Sequence, residues 1–130
     1  MEITLLQSER AIELAKAKAN EIQVPVNIAV LDTGGYLKSF TRMDDAFLGS
    51  IDIAIQKAKT SMLFRTNSEV VGEFLKPEAA AYGLENTNGG LVAFAGGRPI
   101  VQNGKIIGYI GVSGGAVPQD LSIAIAGSNL

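Results

Sequence analysis

Apolar residues recur at spacings of three, four and seven from the start of the chain. Leu5, Ile12, Ala15, Ala19 and Ile22 share one helical face, with Glu9, Glu13, Lys16 and Asn20 off it. Thr4 and Gln7 have capping-box spacing, in which the hydroxyl accepts from the Gln7 N–H and the amide reaches back. Pro25 falls too late to belong to this helix. The β-branched run Val26–Leu31 predicts a strand. Tyr36–Thr41 predicts a second, with Tyr36, Lys38 and Phe40 alternating against Leu37 and Ser39. Between them, Asp32-Thr33-Gly34-Gly35 is turn chemistry: an Asp that bonds forward to the backbone, then glycines that allow positive φ.

A second stripe, Leu48, Ile51, Ile55, Ala58 and Met62, predicts a helix over roughly 46–64 capped by Asp44 or Asp45. Thr66 and Glu69 repeat the capping-box spacing ahead of a short helix through Val70, Val71, Phe74 and Leu75, which Pro77 stops. Residues 78–88 read as a loop. Leu91–Phe94, Arg98–Gln102 and Lys105–Val112 read as three strands, joined by Ala95-Gly96-Gly97 and by Asn103-Gly104. Asn-Gly is the strongest short hairpin signal, because both central residues of a type I′ turn need positive φ. Gly108 and Gly111 predict a bulge or close packing against a neighbour. Residues 117–127 read as a terminal helix with Pro118 in its first turn. The order α-β-β-α-α-β-β-β-α gives an α+β fold: a five-stranded antiparallel sheet with helices packed on it, as a single domain over residues 1–130.

Composition removes much chemistry. The chain holds no His, Cys or Trp, so it has no imidazole base, no thiolate, no disulfide and no zinc site of the usual kind. A net charge of −2 and an aromatic content of 6% predict no nucleic-acid partner. No apolar run has the length of a membrane span, and the first residues carry Glu2 and Glu9 where a secretory signal would be apolar. A soluble, cytoplasmic protein is expected. Beyond Asn86 the only charged side chains are Arg98, Lys105 and Asp120. A terminal helix apolar all round is normally buried all round, so a homo-oligomer is expected, with this helix or the strands beside it at a subunit interface.

The remaining groups suggest a binding corner. Gly111-Val112-Ser113-Gly114-Gly115 leaves a strand and enters a helix, where free N–H groups suit an anion. It lacks phosphate-loop spacing, and a sharp turn alone also accounts for the glycines. Lys57 sits partly toward the apolar side of its helix, either as an anchor for a ligand carboxylate or with its ammonium in water. Arg42 either clamps a carboxylate ligand or pairs with a nearby acid. Asp120 either works with Asp32 as an acid–base pair or simply occupies a helix first turn. Candidate ligand-binding residues are therefore Arg42, Lys57, Ser113, Gly114, Gly115 and Asp120. No catalytic or metal-ligating set emerges. Tyr36, Tyr82 and Tyr109 are phenols, and phenolate can ligate ferric haem; Met43 and Met62 are thioether candidates for the same role, and each is also explained by packing.

Two segments carry a family resemblance. One runs from Leu31-Asp32-Thr33-Gly34-Gly35-Tyr36-Leu37 through Phe40-Thr41-Arg42-Met43-Asp44 to Ser50-Ile51-Asp52-Ile53-Ala54 and Lys57-Ala58-Lys59-Thr60. The other runs from Gly96-Gly97-Arg98-Pro99-Ile100 through Gly104-Lys105-Ile106-Ile107-Gly108 to Gly111-Val112-Ser113-Gly114-Gly115 and Gln119-Asp120. Together they resemble the GlcG/HbpS-like family, often called a haem-degrading domain and related to a domain of some corrinoid adenosyltransferases. The resemblance implies an αβ sandwich of profilin-like or roadblock-like appearance, homo-oligomers, and haem as a possible cofactor. Many relatives have His after the Gly-Gly of the first hairpin, where this chain has Tyr36, so haem ligation through His is impossible here. Three functions follow for test: a small-molecule-binding oligomer taking a carboxylate or tetrapyrrole, a haem-degrading or small hydroxy-acid-processing enzyme, and a ligand-free interaction scaffold.

Overall fold

Thr4 caps the first helix as its spacing with Gln7 predicts: Gln7 N–H donates to Thr4 Oγ1 at 3.1 Å, and Thr4 N–H donates to Gln7 Oε1 at 2.9 Å. The computed structural model describes residues 1–130. The chain passes through α1 (Leu5–Ile22), β1 (Asn27–Leu31), β2 (Leu37–Arg42), α2 (Gly49–Phe64), α3 (Ser68–Glu73), a 3-10 turn (Leu84–Asn86), β3 (Gly97–Gln102), β4 (Lys105–Ser113) and α4 (Val117–Ser128). The four strands form one antiparallel sheet in the order β2-β1-β4-β3.

The sheet is a middle layer. On one face α1 and α4 pack together over it, burying Ile12, Ala15, Ile28, Val30, Ile110, Val112 and Ile123 in the main core. On the other face lies α2, with Ala58 against Leu31 and Tyr109. Alternation along β1 and β4 sends successive side chains to these two layers. The α2 layer sits close because Gly97 and Gly111 are paired in register beneath it. A Cβ on Gly111 would strike the Ala54 carbonyl, and one on Gly97 would strike the Lys57 carbonyl. Only glycine permits so close an approach of helix to strand.

The sheet has four strands, which corrects the expectation of five. Leu91–Phe94 is apolar but makes no ladder. It passes α3 instead: Ser68 Oγ donates to the Phe94 carbonyl at 2.6 Å, and Leu91 N–H donates to the Glu85 carbonyl at 2.9 Å. Apolar content alone does not make a strand where the backbone groups are bonded elsewhere. Helix α2 begins at Gly49 with no side-chain cap, because Asp44 and Asp45 lie in the preceding turn, with Asp45 at φ 68°. Thr66 does not cap α3 either: Asn67 occupies that position, and its side chain makes no capping bond. The Asn103-Gly104 turn has both φ values positive, 54° and 76°, as its sequence predicts. Beside it, the β3–β4 register shifts between Ile100 and Val101, opposite Gly108.

Candidate functional site

The ladder fixes which residues share an end of the sheet. Asn27 pairs with both Arg42 and Ser113, whereas Leu31 pairs with Leu37 and Tyr109. Asp32, just beyond Leu31, and Asp120, just beyond β4, therefore lie at opposite ends and do not form the acid–base pair considered above. Asp32 serves its turn, accepting from the Gly34 and Tyr36 N–H groups at 2.9 Å each.

At the Ser113 end, five of the six candidate residues come together. Lys57 from α2 is 1% exposed, and its ammonium donates to Asp120 Oδ2 and to the Val112 carbonyl at 3.0 Å each. Asp120 opens α4, and its Oδ1 accepts from the Gly115 N–H at 2.8 Å. The neighbouring Ala116 N–H goes to Gln119 Oε1. The Phe94 ring stands 5.6 Å from Lys57 Nζ, within cation–π range. Ser113 is buried beside Gly114, whose φ is 143°. Burial pushes the Lys57 ammonium below its ordinary range and the Asp120 carboxyl above its own, and the attraction between the two partly offsets both. The N–H groups read as an anion cradle thus hold the chain's own carboxylate, and the lysine charge is met inside the fold. Arg42 stands apart, exposed at the end of the edge strand β2.

The other end is open. A cleft of about 630 Å³ lies between the two hairpin turns and the C-terminal end of α2. Thr33, Met62, Arg65, Gly104, Lys105, Ile106 and Tyr109 line it. Small-molecule and cofactor sites commonly span about 300–1,000 Å³. Met62 and Ile106 pack beside Tyr109 and make an apolar floor. The first hairpin closes one wall: a Cβ on Gly35 would lie 2.5 Å from Met62 Cε. Neither Arg65 nor Lys105 belongs to any salt bridge of the protein. Tyr109 is 2% exposed, and its hydroxyl makes none of the protein's side-chain hydrogen bonds. Burial raises the Tyr109 phenol above its ordinary pKa; the nearby Arg65 works against that rise, and Glu2 adds to it.

Of the residues considered as iron donors, the fold brings two into this one cleft, Tyr109 and Met62. Tyr36 and Tyr82 are exposed, and Met43 packs against the main core. Arg65 and Lys105 were not singled out in the sequence. Their only local signals are positions next to a helix end and a hairpin turn, and the packing of α2 on β4 that brings those places together is long-range.

This architecture, an antiparallel sheet between helical layers with a cleft at one end, defines a small αβ sandwich. Residues 3–129 match the family described as haem degrading protein HbpS-like, and the chain belongs to that family. It is 44% identical to an uncharacterized 15.0 kDa protein in the dhaT-dhaS intergenic region of Citrobacter freundii, over 94% of this chain and 87% of that one. It is 36% identical over 95% of its length to the corrinoid adenosyltransferase PduO of Citrobacter freundii, of which it spans 37%. The crystal structure of a PduOC:heme complex shares the fold with a TM-score of 0.92 and 33% identity, covering 98% of this chain and 94% of that one.

Proposed function

We propose that this protein binds a flat, apolar ligand bearing carboxylates, of tetrapyrrole type, in the cleft at the Tyr109 end of the sheet. The observation that carries the reading is the pairing of an apolar floor with two uncommitted cations, Arg65 and Lys105. The haem named in the PduOC complex supports the same chemistry. The residues present fit the group: Arg65 and Lys105 would meet propionates, Met62 and Ile106 the ring, and Tyr109 or Met62 the iron. A haem held there would bring a redox-active iron. The chain's own part is to bind and orient the ring and to hold the Tyr109 proton, which must leave for phenolate ligation. In this reading the Lys57–Asp120 pair, with Ser113, Gly114 and Gly115, braces the fold at the opposite end, and Arg42 contacts no tetrapyrrole.

Haemin titration tests this. A sharpened Soret band with one haem per chain is expected. Tyr109→Phe should shift the spectrum, and Arg65→Ala with Lys105→Ala should weaken binding roughly tenfold or more, each lost ionic hydrogen bond costing about 1.5–3 kcal/mol at most. A free-haemin spectrum, or binding indifferent to all three changes, overturns the proposal. Loss of the band under reductant in air would extend the reading to haem breakdown.

We also propose a homo-oligomer. Val117 and Ile125 remain 44% and 47% exposed on the outer side of α4, in the charge-poor part of the chain. Sedimentation should give a mass above 13.6 kDa, and Ile125→Lys should lower it; a wild-type monomer at micromolar concentration overturns the idea.

A further inference from the structure

A second recess lies away from the Tyr109 cleft, where the edge strand β2 runs beside α1. Two clefts of about 550 and 390 Å³ share Thr41 and together extend from Leu5 to Asp45. Their common floor is the outer margin of β2. Met43 N–H donates inward to the Val26 carbonyl at 3.1 Å. Antiparallel alternation then turns the backbone groups of Thr41 and Ser39 inward too, and those of Phe40 and Arg42 outward. Neither Phe40 nor Arg42 uses its backbone in any hydrogen bond outside the β1–β2 ladder. An edge strand with free N–H and C=O groups beside a helix is the geometry that accepts an added strand.

The charges around the recess say what kind of strand fits. On the α1 side Glu9 has no salt-bridge partner, and Glu13 is shared only with Lys16. Asp44 and Asp45 close the far end, also outside every salt bridge. On the opposite side of the strand, Arg42 shares a row with Asn27, whose amide faces the start of α2. Ser39 faces α1, its hydroxyl 2.7 Å from that of Ser8. Lys16 also lines the recess but is held by Glu13, so a docked strand would meet the unpaired acid Glu9 on its α1 side and a cation on the other. A two-fold pairing of two β2 edges would instead lay two α1 helices side by side, acidic wall against acidic wall. We infer that this groove binds an extended segment of another protein, added as a strand to β2, with basic residues at alternate positions facing α1.

The probe is a capped peptide as long as β2 that alternates Lys and Thr, with a Glu–Thr peptide for contrast. The Lys–Thr peptide should bind saturably and slow amide exchange at Phe40 and Arg42. Glu9→Lys with Asp44→Lys should weaken it about tenfold, the scale of two reversed surface charges. Arg42→Pro removes an outward N–H, which an edge strand tolerates, and should abolish binding, whereas Arg42→Gln should retain it. Absence of binding, equal binding of the Glu–Thr peptide, or unchanged exchange at Phe40 and Arg42 overturns the inference. So does protection of these two amides in the free protein that disappears on dilution, which would assign the edge to a second copy.

Discussion

The two ends of the sheet handle charge in opposite ways. At the Ser113 end, a lysine and an aspartate lie fully inside the protein and satisfy each other, a strand carbonyl and a turn N–H. At the Tyr109 end, two cations stay at the rim of a cleft and a buried phenol keeps its hydroxyl free of protein partners. A buried charge that is fully paired makes a junction; it has nothing left to offer a ligand. A charge left at the rim adds little to folding and is available for binding. The glycine turn and its lysine are satisfied within the protein, whereas the plainer residues, Arg65 and Lys105, stand unpaired beside the open cleft.

The strongest way to break this contrast is Asp120→Ala, which strands the Lys57 ammonium in the interior. A loss of about 3–5 kcal/mol is expected in urea unfolding. Lys57→Met with Asp120→Leu should recover most of it, because an apolar pair leaves no charge unmet. Little loss in the single variant would mean that water reaches the junction.

Tyr109→Phe sharpens the contrast at the other end. Burial raises the phenol's pKa in the folded state, so the native protein holds that proton more tightly than the unfolded chain does. The stability from this preference is fully present below the unfolded value of about 10 and is lost as pH rises through the folded value. Stability of the natural protein should therefore fall more steeply above pH 10 than that of the variant, as urea unfolding across alkaline pH would reveal. Parallel curves would place the hydroxyl in water. With haemin present, phenolate ligation should strengthen as pH rises, since ligation releases the same proton.

The smallest effect is expected from Arg65→Ala and Lys105→Ala without ligand. Each should change stability by no more than about 0.5 kcal/mol, as for exposed residues away from special features. A larger loss would show that these cations already serve the fold.

Local signals in the sequence account for most of the architecture. Thr4 with Gln7, Asp32 with the glycines after it, and Asn103-Gly104 each specify their element within a few residues, and the structure has all three. What failed were places where apolar content or a single capping residue was read without its surroundings. Leu91–Phe94 is tied to Ser68 and Glu85 rather than to a strand, and Asp44 and Asp45 lie too far ahead of α2 to cap it. At the binding corner, the sequence marked Lys57 and Asp120 as notable but could not show that they answer each other across 63 positions. The open cleft was harder still. It depends on Leu31 pairing with Tyr109, a contact that no short motif announces.

The Gly97–Gly111 pair has a mechanical consequence. With no side chain between them, α2 rests directly on the strands at Ala54 and Lys57, so the helix has a fixed seat beside the junction, on the rod that runs on to the cleft. Lys57 belongs to the junction, and Met62 and Arg65 reach the cleft from farther along the same rod or its end. Wedging even one methyl group under that seat would tilt both extremities at once. Gly111→Ala would therefore disturb ligand uptake and the buried ion pair together, although it touches neither.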